Sequence, residues 1–204
     1  MLESYLRSHY QKYFVDNVAK YVAKYATPNQ ITLLSLCTGV CILPALIFHQ
    51  RWIGVILLIL TGYLDMLDGT LARLRSCSSE VGAMLDILSD RVVEAAAIMG
   101  LYFVNPMYPG FLSLLMLSSI LICITSFLVV GIFTQNNTQK SFYYSPGLIE
   151  RAEAFIFFAA MMIFPSLYPV LAILFSILVF YTAADRIHQF VFSKKLFNFS
   201  RRKA

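Results

Sequence analysis

An all-α integral membrane fold, six transmembrane helices preceded by an amphipathic interfacial helix, is what this chain predicts, and three observations carry that reading. Of 204 residues, 59% are hydrophobic and only 13% charged, with a mean hydropathy of +0.71. That lies outside the composition of soluble globular domains. The apolar residues fall in runs that suit helices crossing about 30 Å of hydrocarbon at about 1.5 Å per residue. The basic residues gather at alternate ends of those runs.

Residues 3–25 carry charge throughout, at Glu3, Arg7, Lys12, Asp16, Lys20 and Lys24. With no uninterrupted apolar core and no small-residue cleavage site, they read as an interfacial helix and not as a removable signal peptide. Span one, 28–50, opens with Thr27-Pro28-Asn29, a good N-cap followed by proline at the first helical position. Span two, 52–74, is apolar to Leu64 and then meets two aspartates; the polar residues Arg75 to Glu80 connect it onward. Span three runs over 81–104 and stops at Asn105-Pro106, and span four covers 110–133. A polar loop over 134–147 leads to span five, 149–164, which Pro165 closes; span six, 167–190, precedes a basic tail over 191–204. The whole chain, 1–204, reads as a single membrane domain without internal repeats.

Counting charge sets the topology. With the amino terminus in the cytoplasm, 15 of the 16 basic residues fall at or near cytoplasmic ends and only Arg51 lies outside. The positive-inside rule therefore puts both termini and the aspartates described below on the cytoplasmic side. The net charge of +5 fits contact with an anionic leaflet, and no basic-aromatic nucleic-acid module is visible. Cys37, Cys41, Cys77 and Cys123 form no CxxC pair and read as reduced packing residues. His9, His49 and His188 fall at interfacial positions, and the tyrosines fit aromatic belts.

The chemistry lies in Asp65-x2-Asp68-Gly69-x2-Ala72-Arg73-x8-Gly82-x3-Asp86-x3-Asp90, which holds four of the eleven acids. Carboxylates inside a membrane are costly and mark function. Asp65 and Asp68 stand three apart and Asp86 and Asp90 four apart, so on two packed helices each pair projects from one face toward a shared point. Four such acids repel unless cations separate them. Hard oxygen ligands suit Mg²⁺ or Mn²⁺, and two such ions make a phosphoryl-handling site. Gly69 and Gly82 mark places where a ligand or backbone passes closely, and Arg73 supplies a forked cation for a diphosphate. Lys140 and Arg151 fall at the cytoplasmic mouth, where they suit a phosphate on a second substrate as well as they suit anchoring.

At every defined position this string resembles the signature of the CDP-alcohol phosphatidyltransferases, and the six-span layout is similar to theirs. Pro28-Asn29-x2-Thr32 also resembles a motif the family carries near its nucleotide. The resemblance implies Asp65, Asp68, Asp86 and Asp90 as metal ligands, with Asp90 also the general base. It implies Asn29, Thr32, Gly69, Ala72, Arg73, Ser79 and Gly82 around the CDP moiety. The implied partners are CDP-diacylglycerol, a small alcohol acceptor and membrane lipids, with no nucleic acid; a second copy of the chain is kept as a candidate partner. The acceptor hydroxyl would attack the phosphorus nearer the lipid, and CMP would leave.

Met84-Leu85-Asp86-Ile87-Leu88-Ser89-Asp90-Arg91 is more similar to inositol- or inositol-phosphate-transferring members than to those using glycerol 3-phosphate; serine is the other alternative. From other classes, an ion-coupled transporter would explain intramembrane acids but gives no reason for the Gly-x2-Ala-Arg element. A membrane prenyltransferase would hold Mg²⁺ through aspartates at different spacing.

Overall fold

The computed structural model describes residues 15–75, 79–104, 109–134 and 147–201, the side chains of 109 and 193–201 excepted, and among them every regular element is helical. The apolar runs of the sequence become α1 (Asp16–Val22), α2 (Pro28–Val40), α3 (Ile42–Ile47), α4 (Arg51–Leu74), α5 (Glu80–Leu101), α6 (Pro109–Phe133), α7 (Arg151–Ile163) and α8 (Tyr168–Arg201), with a single 3₁₀ turn at Pro165–Leu167 before α8. Four stretches are long and apolar enough to cross a membrane, Pro28–Ile47, Arg51–Leu74, Gly110–Phe133 and Pro165–Phe192, so the chain is an integral membrane protein. Residues 3–14 of the expected interfacial helix, most of the 134–147 loop, and residues 202–204 of the basic tail lie outside the described residues.

Local chemistry explains the helix ends. Thr27 N donates to Gln30 Oε1 at 2.8 Å and Gln30 N to Thr27 Oγ1 at 3.4 Å, a capping box around Pro28 that satisfies two otherwise orphaned donors. The expected first span is interrupted at Cys41, between α2 and α3. Pro44 lacks the N–H that would reach back to Val40, and its ring crowds that carbonyl, so the helix resets there. The turn into α4 places His49 at φ 58°, a left-handed conformation that histidine tolerates better than most residues. At the other end α8 continues to Arg201, eleven residues past the expected close of span six, because Lys194 and Lys195 keep good helix propensity where the apolar pattern stops.

Packing brings the acid-bearing helices together. α2 lies against both α4 and α5, α7 against α4 and α5, and α6 along α8, while α1 rests on α4. One buried cluster joins Ile42, Leu46, Leu58, Val93, Ile98, Met116, Phe158, Met161 and Phe175 across these contacts; a smaller one joins Val15 and Ala19 to Leu64, Leu67 and Leu71. Small residues and hydroxyls set the spacing of α2 and α4, where Ser35 Oγ donates to Thr61 O at 3.1 Å and the Thr38 and Thr61 hydroxyls meet at 3.1 Å, as expected of helices packed without a hydrophobic drive.

Gly39 lets α2 approach α5 so closely that a Cβ there would sit 2.9 Å from Val93 Cγ1 and nearer still to Cγ2. Val93 is fully buried and stiff at χ1. Gly39→Leu should therefore destabilise by about 1–3 kcal/mol, read as a lower thermal unfolding midpoint in detergent. Gly110→Ala, with nothing within 4 Å of its Cβ position, should leave that midpoint nearly unchanged.

Candidate active site

α4 and α5 deliver the aspartates as their spacing requires. Asp65, Asp68 and Asp86 each offer a carboxylate oxygen, and these atoms all lie within 4.8 Å of one another. Asp68 is buried at 6% exposure, Asp65 and Asp86 partly so. Thr32, one helix away on α2, donates its hydroxyl to Asp68 Oδ2 at 2.7 Å. The same hydroxyl lies 3.1 Å from Pro28 O, so the start of α2 fixes one carboxylate oxygen and leaves the other for a ligand. An all-carboxylate donor set of this tightness fits a hard divalent cation, and like charges this close are otherwise unfavourable.

Asp90 is drawn to arginines instead. Arg151 Nη1, at the first residue of α7, pairs with both Asp65 Oδ1 and Asp90 Oδ1, and its guanidinium lies over the Phe155 ring at 5.2 Å. A forked, delocalised cation suits this bridging and this stacking better than an ammonium would. The opposite oxygen, Asp90 Oδ2, lies 3.8 Å from Arg91 Nη2. Arg91 Nη1 in turn pairs with Glu94 Oε2 at 2.7 Å, and Glu94 is almost wholly buried. Sequence reasoning placed Arg151 at the mouth but did not foresee its contact with Asp65 and Asp90. It also missed Glu94, although 86, 90 and 94 form one unbroken stripe at four-residue spacing.

The remaining expected residues are brought near to different degrees. Ser79 N-caps α5, accepting from Gly82 N at 3.0 Å, and a Cβ on Gly82 would meet Asn29 Oδ1 at 3.3 Å. Asn29, Ser79 and Gly82 therefore share one rim, between the starts of α2 and α5. Arg73 donates to Thr70 Oγ1 at 2.9 Å on the exposed end of α4, beside Gly69, whose Cβ position is 3.6 Å from Arg73 Nη1. Ala72 is half-buried on the same turn. Lys140 lies outside the described residues.

Among the described residues, packed helices of a membrane protein converge a carboxylate triad, an arginine-held aspartate and a glycine-bearing rim, which defines a membrane-embedded, carboxylate-centred class of site. The chain belongs to the CDP-alcohol phosphatidyltransferase family, whose profile matches residues 25–187. It is 31% identical over 145 residues to a phosphatidylinositol phosphate synthase of Corynebacterium glutamicum, a match that covers 70% of this chain and 65% of that protein. It is 29% identical over 168 residues to the inner membrane protein YnjF of Escherichia coli, covering 79% of this chain and 81% of that one. The fold is that of the Mycobacterium tuberculosis phosphatidylinositol phosphate synthase, solved with CDP-DAG bound, with a TM-score of 0.74 at 20% identity over 87% of this chain and 93% of that chain. The same enzyme, solved with manganese and citrate, gives a TM-score of 0.74 at 20% identity over 87% and 88% of the two chains.

If the triad is a cation site, Asp68→Asn should remove much of its affinity while leaving the protein in the membrane, because neutralising a buried acid lowers the cost of burying it. Mn²⁺ titration followed by electron paramagnetic resonance should give at least a tenfold loss; unchanged Mn²⁺ binding would make Asp68 structural.

Proposed function

We propose that this protein transfers a phosphatidyl group from CDP-diacylglycerol to the hydroxyl of a small polar alcohol, releasing CMP, with inositol phosphate or inositol as the favoured acceptor. The observation that carries the proposal is the division of the four aspartates into a tight triad and a fourth, Asp90, held by Arg151. In this reading the chain has six spans behind an interfacial helix, and the site and both termini face the cytoplasm. Support for the six spans comes from α5 and α7, which pack among the four long apolar stretches. The charge distribution of the sequence supports the orientation.

Two divalent ions, Mg²⁺ or Mn²⁺, held by Asp65, Asp68 and Asp86 with Asp90, would spread the charge that develops on the diphosphate; the manganese in the M. tuberculosis structure supports this choice. The chain's own groups do the rest. Asn29, Ser79 and Gly82 line the nucleotide's rim, where absence of a side chain at 82 leaves room for a base or ribose. Thr32, one helical turn beyond Pro28, orients Asp68. Gly69 and Ala72 give the diphosphate a close approach to α4, and Arg73 offers it a two-pronged cation. Asp90 accepts the acceptor's hydroxyl proton. Lys140 and Arg151 bind a phosphate on the acceptor. Arg151 sits against the same carboxylate that would take the proton, so an anion bound to it presents a neighbouring hydroxyl to Asp90.

Purified protein supplied with CDP-diacylglycerol should release CMP only when an acceptor is present, fastest with inositol phosphate or inositol in a panel that includes glycerol 3-phosphate and serine, and EDTA should abolish turnover until Mg²⁺ or Mn²⁺ is restored. Full activity after exhaustive chelation would overturn the metal assignment, and exclusive use of glycerol 3-phosphate would overturn the acceptor.

Arg151→Ala should raise KM for a phosphorylated acceptor roughly tenfold, as expected for losing a charge-assisted contact of about 1.5–3 kcal/mol, with KM for CDP-diacylglycerol nearly unchanged. An unaltered acceptor constant would confine Arg151 to holding Asp65 and Asp90 and would favour an unphosphorylated alcohol.

A further inference from the structure

A carboxylate buried among apolar residues needs a cation, and the one that Glu94 has taken is informative. Glu94 is 3% exposed, with Val93, Ala96, Ala97 and Ile98 buried around it on α5. Its Oε2 pairs with Arg91 Nη1 at 2.7 Å, three residues back on the same helix. Arg91 has a second carboxylate within reach: its Nη2 stands 3.8 Å from Asp90 Oδ2, beyond hydrogen-bond length. The guanidinium is thus shared unequally between two acids, and Glu94 holds the shorter contact. Asp90 meanwhile already carries Arg151 on its other oxygen.

We propose that Glu94 is a positioning residue whose work is to hold Arg91 off Asp90, so that only one arginine, Arg151, competes with the cations and proton that Asp90 must receive. Without Glu94 the partly exposed guanidinium of Arg91 would keep one neighbouring carboxylate, Asp90, 3.8 Å away, and its attraction would go there undivided. Arg91 would close on Asp90 Oδ2. An aspartate clamped by arginines on both oxygens has fewer lone pairs left for a metal ion, feels a second positive charge that repels the cation, and is a poorer proton acceptor. The inference rests on the transferase reading, which is what makes Asp90 a cation ligand and proton acceptor beside the Asp65, Asp68 and Asp86 cluster; Mn²⁺ affinity and turnover are read separately, so the two can fail apart.

The geometry fixes the variants that test it. In detergent-purified protein, Mn²⁺ binding followed by electron paramagnetic resonance should weaken about fivefold or more in Glu94→Gln. Glu94→Asp, which keeps the charge on a shorter arm, should recover part of that loss, and the double variant Arg91→Gln with Glu94→Gln should return to near the wild-type value. Turnover should follow the same order, with kcat falling and KM for CDP-diacylglycerol unchanged. A folded Glu94→Gln protein that binds Mn²⁺ like the wild type overturns the proposal, as does a double variant worse than either single one. If Glu94→Gln does not accumulate in the membrane, Glu94→Asp decides: weakened Mn²⁺ binding that the added Arg91→Gln change restores supports the proposal, and unchanged binding overturns it. A wild-type protein that binds Mn²⁺ but turns over no CDP-diacylglycerol would defeat the transferase reading alone, because the order of Mn²⁺ affinities would still test Glu94.

Discussion

Everything around the site follows from placing negative charge where water is scarce. Three aspartates bring ligand atoms within 4.8 Å of one another, one of them at 6% exposure, and two further acids, Asp90 and Glu94, follow on the same helix stripe. In a low-dielectric interior each carboxylate must be hydrogen-bonded, paired or bound to a cation. A hydroxyl and two arginines meet four of the five. Thr32 satisfies Asp68, Arg151 bridges Asp65 and Asp90, and Arg91 meets Glu94.

Those devices require helices that approach closely, which is why the packing around the site relies on small residues and hydroxyls. Thr32 can reach Asp68 only because α2 lies against α4, and that contact is held by Ser35, Thr38 and Thr61. The partner contact of α2 with α5 depends on Gly39 fitting over Val93, one residue before Glu94. A shift of α5 would therefore move Asp86, Asp90 and Glu94 together. The backbone of the site is set by helix packing, which suits a centre that must hold several ligands in fixed relation.

The aspartates were legible in the sequence because spacing of three and four residues turns directly into a shared helix face, and polar residues stand out against an apolar background. The N-cap at Thr27 was legible for the same kind of local reason, whereas the reciprocal contact from Gln30 that completes the capping box came from the structure. What the sequence did not disclose depended on contacts between elements or on a stripe followed too briefly. Arg151 is 61 residues beyond Asp90, and nothing local says that the first turn of α7 lands between Asp65 and Asp90. Glu94 continues the 86-to-90 spacing by one more turn, so its place on the acidic face could have been read, but its pairing with Arg91 could not. The reset at Cys41 had a visible cause in Pro44, outweighed by the unbroken hydropathy of 28–50.

The division of the acids among their partners also explains why arginine and not lysine stands at 151. The contact with two carboxylates from two helices and with the face of Phe155 needs a planar group that donates from several edges at once. By formal charge, the five carboxylates of Asp65, Asp68, Asp86, Asp90 and Glu94 outnumber the two guanidinium groups of Arg91 and Arg151, leaving three negative charges for cations to neutralise. With fewer arginines the acids would repel one another before any cation arrived. With more of them, cations would be excluded. The arrangement of Arg91 turned toward Glu94 and Arg151 turned toward Asp65 and Asp90 lies between those limits, and it leaves Asp68 and Asp86 of the triad without an arginine partner among the described ion pairs.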